Sequence, residues 1–303
     1  MLMVPAELKE KFALTSFFSL PFFALLLMLG TGAVVSTDVM AGPQLLVAPT
    51  RVVIEGRTRT ASVNLVNRGD QTGTFRITFE RKRMTETGRI VGIERAQPGE
   101  IFADQMIRYA PRQVTLAPGQ SQVVRLMVRK PANLPDGEYR SHLLFQGIPQ
   151  DSGKSIQSQS ASKSNTLNVE IIPVLGVSIP VIVRQGNTQA SVSLADLQLE
   201  NRSKDGTQAD LVFRAKRSGN RSIYGDFTVF FTPDKGGKKV VVSRINGLAI
   251  YTPNAERIVN LQLKGPDNLK LDSGTIEVIY SEPESAGRKE LARATARIAS
   301  LSR

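Results

Sequence analysis

The chain has 303 residues with no cysteine and one histidine, and its 39 Lys and Arg against 27 Asp and Glu give a formal net charge of +12. Without cysteine there are no disulfides and no thiolate metal sites, and one histidine excludes a His-based metal cluster, so stability has to come from burial alone. A balance this basic bears on encounter with anionic partners or surfaces, and not on the fold.

Residues 1–41 place Lys9 and Lys11 ahead of an apolar block that ends near Val39-Met40-Ala41. A basic start, an apolar core and small residues before the exit describe a secretory signal peptide, cleaved after Ala41. An uncleaved anchor is the competing reading, since the block approaches a span of ~20 residues. Pro21, the interspersed Ser and Thr and the Val-x-Ala exit favour cleavage. No later segment is apolar enough to cross a bilayer, so the expected mature chain is exported and carries no membrane span. Its length of about 260 residues suffices for two domains, expected over 42–184 and 185–303. Removing two basic and three acidic residues with the signal leaves 37 basic against 24 acidic, a net charge near +13. Nucleic acid is the obvious candidate for such a charge. Export argues against it, and no basic run is interleaved with aromatics as single-strand binders require.

From Leu45 to Phe145 short alternating segments follow one another. Val63 and Leu65 mark one strand, bounded by Asn67 to Asp70; Phe75, Ile77 and Phe79 mark the next, with Arg76, Thr78 and Glu80 on its other face. Lys82 to Gln105 is polar, with a hairpin-like Thr87-Gly88. After the turn at Ala117-Pro118-Gly119, Val124, Leu126 and Val128 alternate with Arg125 and Arg129. After a second turn-rich link from Pro131 to Gly137, Tyr139, Ser141, Leu143 and Phe145 alternate with Arg140, His142 and Leu144. Strands this short, broken by Gly, Pro, Asn and Asp, predict a β-sandwich.

Residues 147–165 are Ser/Gln-rich and offer nothing to pack. Gly153-Lys154-Ser155 invites a phosphate-loop reading, but five residues separate Gly147 from Gly153 where that loop requires four, and no helix follows. The run from Thr166 to Arg184 is the most apolar of the mature chain: Leu167, Val169 and Ile171 alternate with Asn168 and Glu170, and the run is then almost uniformly apolar through Val174 and Leu175 to Val183. It predicts a long strand closing the first domain. At a sheet edge such a strand is also a template for pairing with another chain.

Beyond the turn residues Gln185 to Asn187 a second β series begins at Ala190. It continues through Leu211, Phe213 and Ala215, then Phe227, Val229 and Phe231, a turn at Pro233 to Gly237, Val240–Ile245, Ile258–Leu263 and Thr275–Tyr280. The last segment, 289–303, alternates Ala292, Ala294, Ala296 and Ile298 as a small-residue strand, while its Ala, Leu and Arg content also suits a helix. Its place after a strand series favours a closing strand. The expected fold is therefore all-β, two immunoglobulin-like sandwiches after a cleaved signal peptide.

Pro111 to Leu116, then Pro-Gly, a Gln/Val/Arg strand and Leu134-Pro-Asp-Gly-Glu-Tyr-Arg-Ser-His-Leu143 resemble the N-terminal domain of the periplasmic pilus-assembly chaperones. Val47-Ala-Pro-Thr-Arg-Val-Val-Ile-Glu-Gly56 and the strand Ala61–Asn67 look like the opening of the same domain. The resemblance covers about residues 45 to 185. It implies a periplasmic protein that lends an edge strand, here the run carrying Leu167, Val169, Ile171, Val174 and Leu175, to a fimbrial or other surface subunit lacking its final strand. It also implies delivery of that subunit to an outer-membrane assembly platform, without cofactor or nucleotide. In the family the subunit's C-terminal carboxylate is anchored by an Arg on the first strand and a Lys on the long strand. Arg51 matches the Arg. The Lys is missing, since no Lys or Arg lies between Lys163 and Arg184; Arg140 and Arg125 are the candidates to replace it, and His142 is a possible further polar contact.

An enzyme is the weakest class. Ser141 and His142 are adjacent and so point to opposite faces, and no Gly-x-Ser-x-Gly elbow occurs. The alternative is a structural or adhesive sandwich protein that holds polyanions through its basic face.

Overall fold

The computed structural model describes residues 44–149, 174–200, 202–234 and 236–298. Leu167, Val169, Ile171, the signal segment and the Ser/Gln-rich run lie outside the described residues.

The first sandwich opens with β1 (Leu45–Ala48), β2 (Val52–Ile54), β3 (Thr60–Asn67) and β4 (Gly73–Glu80). A small hairpin of β5 (Lys82–Met84) and β6 (Ile90–Gly92) follows. The sandwich is completed by β7 (Ile107–Ala110), β8 (Gln113–Leu116), β9 (Ser121–Val128), β10 (Gly137–Ile148) and β11 (Gly176–Gln185). One sheet has the order β1-β3-β9-β7 and the other β2-β11-β10-β4-β8. Period two dictates what lies between them. Val63 and Leu65 of β3 and Val124 and Leu126 of β9 point inward from one sheet, meeting Phe75 and Ile77 of β4, Leu143 and Phe145 of β10 and Val181 of β11, all buried.

The second sandwich contains β12 (Ala190–Glu200), β13 (Gln208–Gly219), β14 (Ile223–Pro233), β15 (Val240–Ile250), β16 (Glu256–Lys264), β17 (Gly274–Ser281) and β18 (Glu290–Arg297). Its sheets run β12-β13-β16 and β15-β14-β17-β18. Phe227 sits at the centre of its core, edge-on to Phe213 with ring centroids 5.3 Å apart and stacked on Tyr280 at 4.1 Å. The C-terminal segment is a strand, pairing antiparallel with β17 from Arg297 to Glu290. Its helix-forming composition is overridden by the ladder β17 offers.

The β5–β6 hairpin is more than a polar connection. Met84 packs with Ile182 of the first sandwich and with Ala249 and Tyr251 of the second in a buried cluster of its own. Asn254 Nδ2 donates to Met84 O at 3.0 Å, and the Ile258 amide to Glu86 O at 2.8 Å. The tip is held tightly: a Cβ on Gly88 (φ +84°) would fall 2.2 Å from the Arg257 guanidinium. The two sandwiches are thereby clasped along one side of a cleft, whose floor is the outward face of β2, β11 and β10.

Candidate functional site

The floor of the cleft follows from strand alternation. Val52 and Ile54 of β2 point into the core, which turns Arg51 and Val53 outward. Val52 lies opposite Val181, Ile182 opposite Arg140, and Pro180 opposite His142. Arg51, Pro180, Ile182, Arg140 and His142 therefore share the outward face, which the second sandwich covers in part.

Arg51 donates from Nη1 to the Tyr251 hydroxyl at 3.2 Å and from Nη2 to Ser222 Oγ at 3.3 Å. Its guanidinium stands 4.7 Å from the Tyr224 ring centroid and 5.4 Å from that of Tyr251. Arg140 lies over the same Tyr251 ring at 4.3 Å, and its Nη2 donates to Thr252 O at 3.4 Å. Arg140 is only 6% exposed, and its Nε and Nη1 have no hydrogen-bond partner among the described residues. Burial lowers its pKa; the Arg51 charge works in the same direction, against Tyr251 and Glu138. A guanidinium stays charged even so, which leaves a buried cation with free donors. A hollow of about 500 Å³ opens beside Arg51, with Arg184, Arg221, Ser222, Tyr224 and Lys289 on its walls.

Arg51 and Arg140 thus lie together over the Tyr251 ring, and Arg125 does not join them. Arg125 lies on β9 in the other sheet, beside a hollow of about 540 Å³ that it lines with Arg108, Tyr109 and Met127. Tyr251, Tyr224 and Ser222 had no signal in the sequence, because they reach the cleft only when the second sandwich folds against the first.

His142 is 3% exposed, and its Nδ1 has no partner among the described residues. The face it shares with Arg140 is not a solvated one, since the β5 hairpin and the second sandwich close over it. Burial, with the Arg140 and Lys82 charges adding to it, pushes the imidazole pKa down from 6.5 to about 3. The unfolded chain then binds one proton more than the folded one between these values. Stability contributed by the neutral ring is complete above pH 6.5 and is lost as pH falls toward 3. Replacement of His142 by leucine is expected to remove up to about 1.4 kcal/mol per pH unit from that acid slope, read from urea midpoints across the window. An unchanged slope would assign it to other groups. Ser141 faces the opposite way: its Oγ accepts from the Ala103 and Asp104 amides at 3.0 and 3.1 Å and donates to Asp104 Oδ1 at 2.9 Å.

β11 departs from a simple edge strand. β2 pairs with it in parallel, but only from Val181 to Val183. From Gly176 to Pro180 its sole ladder among the described residues is with β10. Val174 and Leu175, just upstream, are 47% and 70% exposed, and Leu175 O accepts the Gly147 amide at 2.9 Å. Among the described residues the free edge is thus the upstream half of the strand. It is flanked by exposed apolar side chains and lies on the same sheet as the arginine pair.

Fold and site together define a two-sandwich binding protein whose cleft carries two buried or half-buried cations beside a half-open strand. Residues 44–185 match the family model described as pili and flagellar-assembly chaperone, PapD N-terminal domain. The class of function is that of a fimbrial assembly chaperone. Among solved structures the chain is similar to the E. coli chaperone DraB (12% identity, 84% of this chain and 97% of that one, TM-score 0.38) and to the Pseudomonas aeruginosa CupB2 chaperone (12%, 83% and 98%, TM-score 0.36). It is also similar to a chain of the Salmonella enterica SafA pilin–SafB chaperone complex (13%, 84% and 95%, TM-score 0.36). No curated protein sequence matches it. Among the described residues no helix is long and apolar enough to cross a membrane, and no group of three or more His, Cys, Asp or Glu could hold a metal ion.

Proposed function

We propose that this chaperone binds a fimbrial or other surface subunit by pairing the free edge of β11, with the segment upstream of it, to the subunit's open groove, and that Arg51 and Arg140 grip the subunit's C-terminal carboxylate. The reading rests on one observation above all: two guanidiniums, one from just before β2 and one from β10, converge on the Tyr251 ring, and one of them is buried with two donors unpartnered among the described residues. A buried cation in that state is expensive unless a partner completes it. A carboxylate is the complement, taking charge-assisted hydrogen bonds from both. Arg140 then stands in for the missing lysine. Leu167, Val169 and Ile171, with Val174 and Leu175, supply the alternating apolar side chains of the lent strand. The chain is exported to the periplasm with cleavage after Ala41, its domains run over 42–184 and 185–303, and it hands the subunit to an outer-membrane assembly platform. His142 lies buried on the same outward face of β10 as Arg140.

Co-purification from the native envelope tests this. Wild type is expected to bring down small β-rich subunits, and Arg51→Ala to lose them. The same partners persisting unchanged with Arg51→Ala would sink the carboxylate grip. A second reading, a polyanion-holding surface protein, finds support in the outward face of the β1-β3-β9-β7 sheet, where Arg108 and Arg125 line a hollow with half-exposed Met127. It predicts affinity that falls steeply with salt, whereas an apolar strand edge tolerates moderate salt.

A further inference from the structure

Two like charges side by side repel, and each would gain by swinging out into water. Arg51 and Arg140 stay together, and the group that holds them belongs to the second sandwich. The Tyr251 ring takes the Arg51 guanidinium at 5.4 Å and that of Arg140 at 4.3 Å. The negative face of an aromatic ring attracts cations, more strongly where water is excluded. The polar groups around the ring divide between the pair: the Tyr251 hydroxyl accepts from Arg51, and the carbonyl of the next residue, Thr252, accepts from Arg140. The ring itself is fixed, 6% exposed and packed in the buried cluster with Met84, Ile182 and Ala249.

We propose that Tyr251 is the positioning residue of the anchor, so that the grip on a terminal carboxylate is assembled from both sandwiches and not from the first alone. The inference rests on the anchor role given above to Arg51 and Arg140. It also explains how an arginine replaces a lysine here: a planar guanidinium stacks on the ring and still presents its edge, which a compact ammonium cannot do.

The test uses the full mature chain and an acetylated octapeptide of alternating Thr and Val, made as the free acid and as the C-terminal amide. Affinity for each is measured by titration calorimetry. The wild type is expected to prefer the acid by about tenfold or more, the scale of one charged hydrogen-bond contact. Tyr251→Leu is expected to cut that preference to about twofold while leaving affinity for the amide, which reports strand pairing alone, unchanged. Tyr251→Phe keeps the ring and should retain at least about half of the wild-type preference. Should the leucine variant not fold, Tyr251→Met, which adapts its shape to the same space, decides the question by the same ratio. Three results overturn the proposal: an undiminished preference without the ring, an equal loss of affinity for acid and amide, or a phenylalanine variant as poor as leucine. A wild type indifferent to the carboxylate sinks the anchor itself, and the inference with it, by a result that none of the variants can mimic.

Discussion

Replacing Arg140 with methionine is expected to stabilise the chain by about 1–3 kcal/mol while abolishing its retention of a carboxylate-ended subunit, because a buried cation without full pairing is commonly worth less than a well-packed apolar side chain. Arg140 sits 94% removed from water on the complement of its 6% exposure, with Nε and Nη1 unpartnered among the described residues. Its direct contacts are the Tyr251 ring and one long hydrogen bond to Thr252 O, with the Glu138 and Glu100 charges favouring it from further off. A cation–π contact in a dry site is worth about 2 kcal/mol, less than the several kcal/mol needed to desolvate an ion. Methionine fills the space, keeps a contact to the ring and removes the repulsion on Arg51. The measurement is the urea midpoint at constant m-value, taken beside co-purification. A variant less stable than wild type would show that the ring outweighs desolvation, and a variant that still retains subunit would remove Arg140 from the anchor.

Such an opposition between stability and binding is what a functional site produces when it holds charge ready in a dry place. It also explains which features could be read from the amino-acid sequence. Val63, Leu65, Val124 and Leu126 declare their strands through period two, because one face meets a core and the other meets water. β10 hides its role for the opposite reason. Both of its faces are buried, so Arg140 and His142 alternate with Tyr139 and Leu143 as a surface strand would, and only the fold reveals that a second sandwich covers them. Arg51 could be marked as an anchor candidate only through the resemblance of its segment to a family motif, and Arg140 only as one of two candidates to partner it. Choosing between Arg140 and Arg125 required knowing which sheet each strand joins, a long-range fact that no local pattern carries. Tyr251 lay further still from view. It stands 200 residues from Arg51 in the chain, and nothing about Tyr-Thr-Pro in a turn announces a platform for two cations. The β5–β6 hairpin was legible as a turn at Thr87-Gly88 but not as the clasp it forms with Asn254 and Ile258.

The clasp holds one side of the cleft, and a buried ion pair holds the end of β11 where the chain passes to the second sandwich. Arg184 Nε donates to Glu138 Oε2 at 3.0 Å and Nη1 to Glu55 Oε2 at 2.8 Å, while its carbonyl accepts from Lys130 Nζ at 2.6 Å. The Glu138 side chain is fully buried and that of Arg184 is 13% exposed. Glu55 is 59% exposed and loses little when its partner leaves, as surface pairs do. Glu138 cannot reach water. Arg184→Ala is therefore expected to cost about 3–5 kcal/mol, the scale for leaving one member of a buried pair uncompensated. The cause separates from lost packing in a double replacement. With Glu138→Met and Arg184→Met together neither member of the pair is left stranded, and stability should return to within about 1–2 kcal/mol of wild type, since apolar replacements of both members are often neutral. Urea unfolding of the two single variants and the double closes the cycle. If the double variant is as unstable as the sum of the singles, the ion pair has no coupling, and the end of β11 is held by packing and the Lys130 bond alone. If it recovers, the pair's role is to fix where the strand stops and the second sandwich begins, and so where Tyr251 meets the two arginines.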